Sequence, residues 1–199
     1  MINNLLEELV LSLKKLPGVG NKTAQRLAMY LINMNKQEAL QISDTIRKAV
    51  SNFQNCTTCN MLTDKDPCQL CSDEKRSDEL LCVVETTQDI LLIEKIHEFQ
   101  GKYFVLNRLL SPIDGIGPEE IHFPKLKKLI RSRKIKEIIL AISPSTEGET
   151  TINYIASNIQ NDNIKITRLS TGLPFGGDIE YSSSLTLSNA FRRRYSVKD

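Results

Sequence analysis

Leu5, Leu6, Leu9, Val10, Leu13 and Leu16 recur at intervals of three and four, which predicts an amphipathic helix over residues 2–15 that Pro17 ends. Ala24, Leu27, Ala28, Leu31 and Ile32 form the apolar face of a second predicted helix, from Asn21 to Asn33. Ile42, Ile46, Ala49, Val50 and Phe53 predict a third over 36–53, with that face packed into a core. From residue 80 the rhythm changes. Leu80-Leu81-Cys82-Val83-Val84 is a short continuous apolar run, as a parallel strand buried on both faces would be. Helical periodicity over 89–99, 119–133 and 146–159 then alternates with strand candidates at 102–106, 137–142 and 164–168. That alternation implies a parallel sheet with covered faces. Leu185, Leu187, Ala190 and Phe191 suggest a closing helix. The pattern is that of a multidomain α+β chain, helical first and α/β afterwards.

Composition narrows this picture only a little. The 199 residues suffice for one domain or two. No run of about 18 apolar residues exists to make a spanning helix. Met1-Ile2-Asn3-Asn4 lacks the basic start and apolar core of a secretory signal, so the expected location is cytoplasmic. Net charge is +2, but residues 1–55 hold seven Lys/Arg against four Asp/Glu, and Arg192-Arg193-Arg194 with Lys198 make a basic C-terminus. Such patches suit nucleic acid, although a solvated helix end is the commoner cause of a charge run.

Between the two halves lies the strongest chemical signal. Cys56 and Cys59 form one Cys-x-x-Cys knuckle, and after eight residues Cys68 and Cys71 form another. Each pair can present two sulfurs to one ion, and two pairs complete a tetrahedron of thiolates around zinc. Four thiolates leave no position for water, so one zinc per chain is expected in a structural role. Residues 60–67 are too polar to fold alone, and metal binding supplies the missing free energy. Disulfides or a redox pair fit less well in a chain without a visible signal peptide. The fifth cysteine, Cys82, reads as a buried, inert strand residue.

The turn between the first two helices reads Leu16-Pro17-Gly18-Val19-Gly20. Two glycines permit a tight turn and close approach of the backbone to a ligand. The N–H groups of Gly18, Val19 and Gly20 at the start of the next helix can hold a phosphate oxygen. Lys22 and Arg26, four apart on one face, can reach neighbouring phosphates. Contacts of this kind carry no base information, so binding would be indifferent to sequence and sensitive to salt. The segment resembles the helix-hairpin-helix motif of non-specific DNA-binding proteins. The plainer alternative is an ordinary helix–helix turn with two solvated cations.

Ligands on parallel sheets gather at the carboxyl ends of the strands, which directs attention to Glu85 and to Ser143-Pro144-Ser145-Thr146-Glu147-Gly148-Glu149. This half resembles the Toprim domain of topoisomerases and primases. The resemblance places the family's first magnesium-binding carboxylate at Glu85, and its aspartate pair at positions occupied here by Ser143 and Ser145. Neutral hydroxyls are poor magnesium ligands, so the domain is expected to be a non-catalytic relative, with no catalytic residues. Glu85, Glu147 and Glu149 are candidates for partner binding; for Glu147 and Glu149 the alternative is simply a helix N-terminus that favours negative charge. The glycine-rich loop 172–178 lacks the Gly-Lys-Ser/Thr ending of a P-loop and is expected to be structural, at a subunit contact.

The order of parts resembles the RecR family of bacterial recombination mediators over essentially the whole chain. The stretches that carry this are 16–20, 56–71, 106–118, 147–149 and 172–181; Asn107-Arg108 and Ser182–184 depart from the family's usual residues. The resemblance implies a helix-hairpin-helix domain at 1–54, a four-cysteine zinc finger at 55–75, a Toprim domain at 76–170 and a C-terminal loop and helix at 171–199 that contacts another subunit. It further implies a dimer or ring-like tetramer that binds single- and double-stranded DNA. In this reading the protein acts with RecO, and often RecF, at single-strand gaps, where it helps load RecA on DNA covered by single-strand-binding protein. It implies no chemistry of its own. The alternatives are a magnesium-dependent nuclease or primase-like Toprim enzyme, and a scaffold that barely touches DNA.

Overall fold

The computed structural model describes residues 4–159 and 163–196. Residues 2 and 3 of the first predicted helix and Lys198 of the basic C-terminus lie outside this set. The chain divides into two compact units, one ending at Phe53 and the other beginning at Gln54.

The first unit holds α1 (Asn4–Leu13), α2 (Asn21–Asn33) and α3 (Lys36–Asn52). Helix α1 stops four residues before Pro17, because the last turn tightens: Lys15 and Leu16 donate to Ser12 and Leu13 carbonyls three residues back. The residue preceding a proline is driven out of the helical region, so the helix unwinds before reaching it. Ala24 and Ala28 are fully buried, so that α2 turns its smallest side chains toward its neighbour. The expectation for α3 is not met. None of its residues is buried, and Ile42, Ile46, Val50 and Phe53 are all exposed, Val50 by 77%. Three short helices in about 50 residues do not enclose enough volume to bury every apolar stripe.

The second unit begins with β1 (Gln54–Asn55), β2 (Leu62–Thr63) and the single-turn α4 (Gln69–Ser72). Then come β3 (Ser77–Val84), α5 (Thr87–Ile96), β4 (Gly101–Val105), α6 (Phe123–Ser132), β5 (Glu137–Ala141), α7 (Thr146–Asn158) and β6 (Lys165–Arg168). A 3-10 turn (Ile179–Tyr181) and α8 (Ser184–Arg192) complete it. The four long strands form a parallel sheet in the order β4-β3-β5-β6. The chain leaves β3 toward β4, then crosses back to β5 on the other side. The carboxyl ends of β3 and β5 therefore flank a topological switch point.

Strand alternation sorts the core into two layers. Leu81, Val83, Phe104, Leu106, Ile138 and Leu140 face α6 and α7, which contribute Phe123, Leu126, Ile130, Ile152 and Ile155. Cys82, Val84, Tyr103, Val105 and Ala141 face the opposite side, against Ile90 and Ile93 of α5 and against Met61 and Leu70 of the cysteine-rich segment. That segment thus serves as part of a sheet-covering layer.

Several boundaries moved for identifiable reasons. Helix α5 starts at Thr87, not 89, because Thr86 and Asp89 form a reciprocal capping box, and it stops at Ile96 because His97 turns left-handed. Helix α6 starts at Phe123, not 119, with Pro124 in its first turn, where proline's missing N–H costs nothing.

Gly148 in α7 is fixed by close approach. A β-carbon there would meet the Ser143 carbonyl oxygen at 1.9 Å. Gly148→Ala is expected to lower stability by about 2 kcal/mol or more through overpacking, read as a shift in denaturant midpoint.

Candidate functional site

The four cysteines of the knuckles converge. Their sulfurs all lie within 4.8 Å of one another, with Cys59 and Cys68 3.5 Å apart and Cys56 and Cys71 4.0 Å apart. Four thiolates about 2.3 Å from a tetrahedral ion are separated by about 3.8 Å, close to the spacing seen here, so the cage could hold a metal ion. None of the five cysteines is in a disulfide. Cys56, Cys59 and Cys68 are buried. The sulfurs share protons unevenly: the hydrogen bond with Cys68 raises the Cys59 thiol, and the same bond lowers Cys68. A divalent cation replaces those protons.

The cage is built by local turns. Asn60 takes a left-handed conformation, and its N–H donates to the Cys56 carbonyl. Its side-chain amide donates to the Val105 carbonyl, while the Val105 N–H donates to the Cys59 carbonyl. The second knuckle is anchored by Lys102, a lysine only 6% exposed on β4. Its ammonium donates to the carbonyls of Leu70, Cys71 and Asp73 at 3.2, 3.0 and 2.7 Å. Lys125 from α6 donates to the Cys56 carbonyl at 3.0 Å. Sequence reasoning missed Lys102 and Asn60. The one legible signal was a lone lysine inside the apolar run 101–106.

In the helical unit, Gly18 sits at φ +78°, and the space where a side chain would stand at Gly18 or Gly20 is open. Gly20 is the N-cap of α2 and offers no side-chain cap, so the first-turn N–H groups remain available at the surface. Lys22 and Arg26 are exposed beside this turn. One part of the sequence reading needs correction: the Val19 N–H is not free but donates to the Leu16 carbonyl at 3.1 Å, closing the turn. Among the described hydrogen bonds, the N–H groups of Gly18 and Gly20 have no acceptor.

At the switch point, the register Val84↔Ala141 puts Glu85 level with Ile142 and next to the Ser143 loop. Burial, then the nearby Asp89 carboxylate, raises the Glu85 pKa. Ser145 is occupied in a structural way: it caps α7, its hydroxyl accepting from the Gly148 N–H at 3.0 Å. Glu147 is exposed. Glu149 instead forms a two-pronged pair with Arg168 of β6, at 2.8 and 2.6 Å, which holds its carboxyl below the usual range. A cleft of about 630 Å³ opens between α5, the carboxyl ends of β5 and β6, and α8; Asp89 and Ser143 line it, while Glu85, Glu147 and Glu149 do not. In the glycine-rich loop Phe175 is fully exposed, as are most of Ile179 and Tyr181 nearby.

Among the described residues no helix is long and apolar enough to cross a membrane.

Comparison with known proteins agrees with this architecture. Residues 6–50 match a family described as "RecR, helix-hairpin-helix", and residues 79–170 match the Toprim domain family. The chain is 46% identical over 187 residues to the recombination protein RecR of Francisella philomiragia subsp. philomiragia, covering 94% of this chain and 92% of the relative. It is 45% identical over 186 residues to RecR of Francisella tularensis subsp. tularensis and to that of subsp. novicida, with the same coverage. A helical hairpin, a four-cysteine cage and a Toprim sheet, joined in this order and matched almost end to end, place the chain in the RecR family of recombination proteins.

Proposed function

We propose that the protein is a non-catalytic, DNA-binding mediator of recombinational repair. The observation that carries this reading is the hairpin at 16–20. It is open on its ligand side, has unacceptored N–H groups at Gly18 and Gly20, and is flanked by the exposed cations Lys22 and Arg26. Such a surface grips the sugar-phosphate backbone of single- or double-stranded DNA without reading bases.

The ion in the cysteine cage is zinc, one per chain, in a structural role: four sulfur donors suit zinc and leave no open position. The Toprim domain docks partners and performs no phosphoryl chemistry. Support comes from the switch point, where Ser143 and Ser145 stand in place of carboxylates and Ser145 is committed to a helix cap. Glu85 and Glu147 are the free acidic groups offered there to RecO or RecF, and Glu149 presents a carboxylate already oriented by Arg168. Through those partners the protein assists the loading of RecA on gaps covered by single-strand-binding protein, in the cytoplasm at the nucleoid. Self-association to a dimer or ring-like tetramer is supported by two apolar surfaces: the face of α3 in the helical unit, and Phe175, Ile179 and Tyr181 in the C-terminal segment. The working division is a DNA-binding segment at 1–54, a zinc module at 55–75, a Toprim domain at 76–170 and an oligomer contact at 171–199.

The test is equilibrium binding to a random-sequence duplex over a range of salt. Replacing Lys22 and Arg26 together with alanine is expected to reduce affinity about 30-fold at 0.15 M salt. It should also make the slope of log K against log salt shallower by about 1.8, for two lost phosphate contacts. A double variant with the wild-type slope would remove the hairpin from the DNA interface.

A further inference from the structure

Residues 125–136, which run from α6 into the turn before β5, hold seven of the chain's 26 Lys/Arg and none of its 24 Asp/Glu. The remaining 19 cations face those 24 acids, so the rest of the chain carries net −5 while this strip alone carries +7. Three of the seven have structural work: Lys125 holds the Cys56 carbonyl, Arg133 pairs with Asp78, and Lys136 pairs with Glu79 at 2.8 Å. The other four, Lys127, Lys128, Arg131 and Lys134, have no carboxylate within 4.0 Å among the described residues.

Stability of α6 does not account for them. Phe123, Leu126, Leu129 and Ile130 make the buried face, Lys128 and Arg131 stand exposed away from it, and Lys127 is half-buried at its edge. Lys127 and Arg131 are four apart, and Lys128 and Arg131 three apart, so like charges are neighbours along the helix and repel. The helix dipole welcomes cations only in the last turn, where Arg131 lies; the first turn holds no acidic residue, although that is where one would help. The fold tolerates a charge arrangement that a bound polyanion would turn from repulsive to attractive.

We infer that the solvent side of α6, through exposed Lys128 and Arg131, Lys127 at its edge and Lys134 just beyond its end, is a second contact surface for the phosphate backbone of DNA, distinct from the hairpin. This deepens the proposed DNA-binding role and rests on it. The cations are spread along one side of a helix, which suits the repeating charges of a phosphate backbone, and phosphate contacts carry no base information.

The test uses the full-length, metal-loaded chain and a fluorescent 30-nucleotide single strand or 30-base-pair duplex of random sequence, titrated from 50 to 300 mM KCl. The triple variant Lys127→Ala/Lys128→Ala/Arg131→Ala is expected to flatten the duplex salt slope by about 2.7, at 0.9 per lost phosphate contact. The same decrement is expected in a Lys22→Ala/Arg26→Ala background, so the two surfaces report independently. Charge reversal at the three positions should flatten it at least as much, with an unchanged circular-dichroism melt in both variants. A wild-type slope in the triple variant would overturn the inference, whatever the hairpin variant does. If the triple variant kept that slope but lost binding to poly-glutamate, the strip would belong to an acidic protein partner and the inference would equally fall.

Discussion

Chelating the metal, or replacing Cys59 with serine, is expected to unfold residues 54–74 and to destabilise the sheet they cover. Apparent binding free energies of structural zinc in small peptides are about 10–16 kcal/mol, more than the whole stability of many domains. The segment has little else to hold it. Strands β1 and β2 are two residues each, and α4 is one turn. The effect should spread because Met61 and Leu70 pack on Cys82, Val84, Tyr103 and Val105, and because Cys59 and Val105 share a backbone hydrogen bond. Amide exchange read by mass spectrometry should show lost protection through 54–74 and along β4, whereas the α6–α7 face of the sheet keeps more of its own. The melting temperature should fall with it. Unchanged exchange and melting after verified metal removal would refute a structural role for the ion.

Replacing Lys102 with methionine should cost about 3 kcal/mol, lowering the midpoint of the second unit by roughly 6–12 °C. An ammonium has three donors, and here all three meet carbonyl oxygens just beyond or within the last turn of α4. Helix ends leave carbonyls without partners, and a cation is the favoured group to satisfy them. Methionine fills the same volume but leaves three carbonyls deprived of a charged donor. Arginine keeps the charge, yet its planar fork does not match three converging acceptors, so Lys102→Arg should also destabilise. Differential scanning calorimetry with metal content measured on the same samples checks this. Normal melting and full metal occupancy in Lys102→Met would show the contacts to be incidental.

Much of this molecule was legible one residue at a time. Apolar period located all the long helices and the four strands of the sheet, since a stripe needs only its own neighbours to declare itself. Paired Cys-x-x-Cys spacing announced the metal cage, because ligand identity and the span of a tight turn are both local. Position after a predicted strand drew attention to Glu85 and to residues 143–149, and it took the Toprim resemblance to mark Ser143 and Ser145 as standing where that family has carboxylates. Other features were out of reach. That α3 leaves Ile46 and Val50 uncovered depends on how much surface three short helices can enclose together. That Val19 spends its N–H on Leu16 depends on how the turn closes. The bond between Glu149 and Arg168 spans 19 residues and two elements.

Spacing and periodicity by themselves determined which segments fold and which carry candidate ligand atoms, because those properties reside in short windows of chain. Only the tertiary structure decided that the cysteine module is a wall of the sheet's core. Lys102 reaches its three carbonyls across about 30 residues of sequence, and Met61 packs against the Cys82, Val84 and Tyr103 layer only after the parallel strands are in register. Contacts between distant segments depend on the assembled geometry of every element between them, and no local pattern encodes that sum.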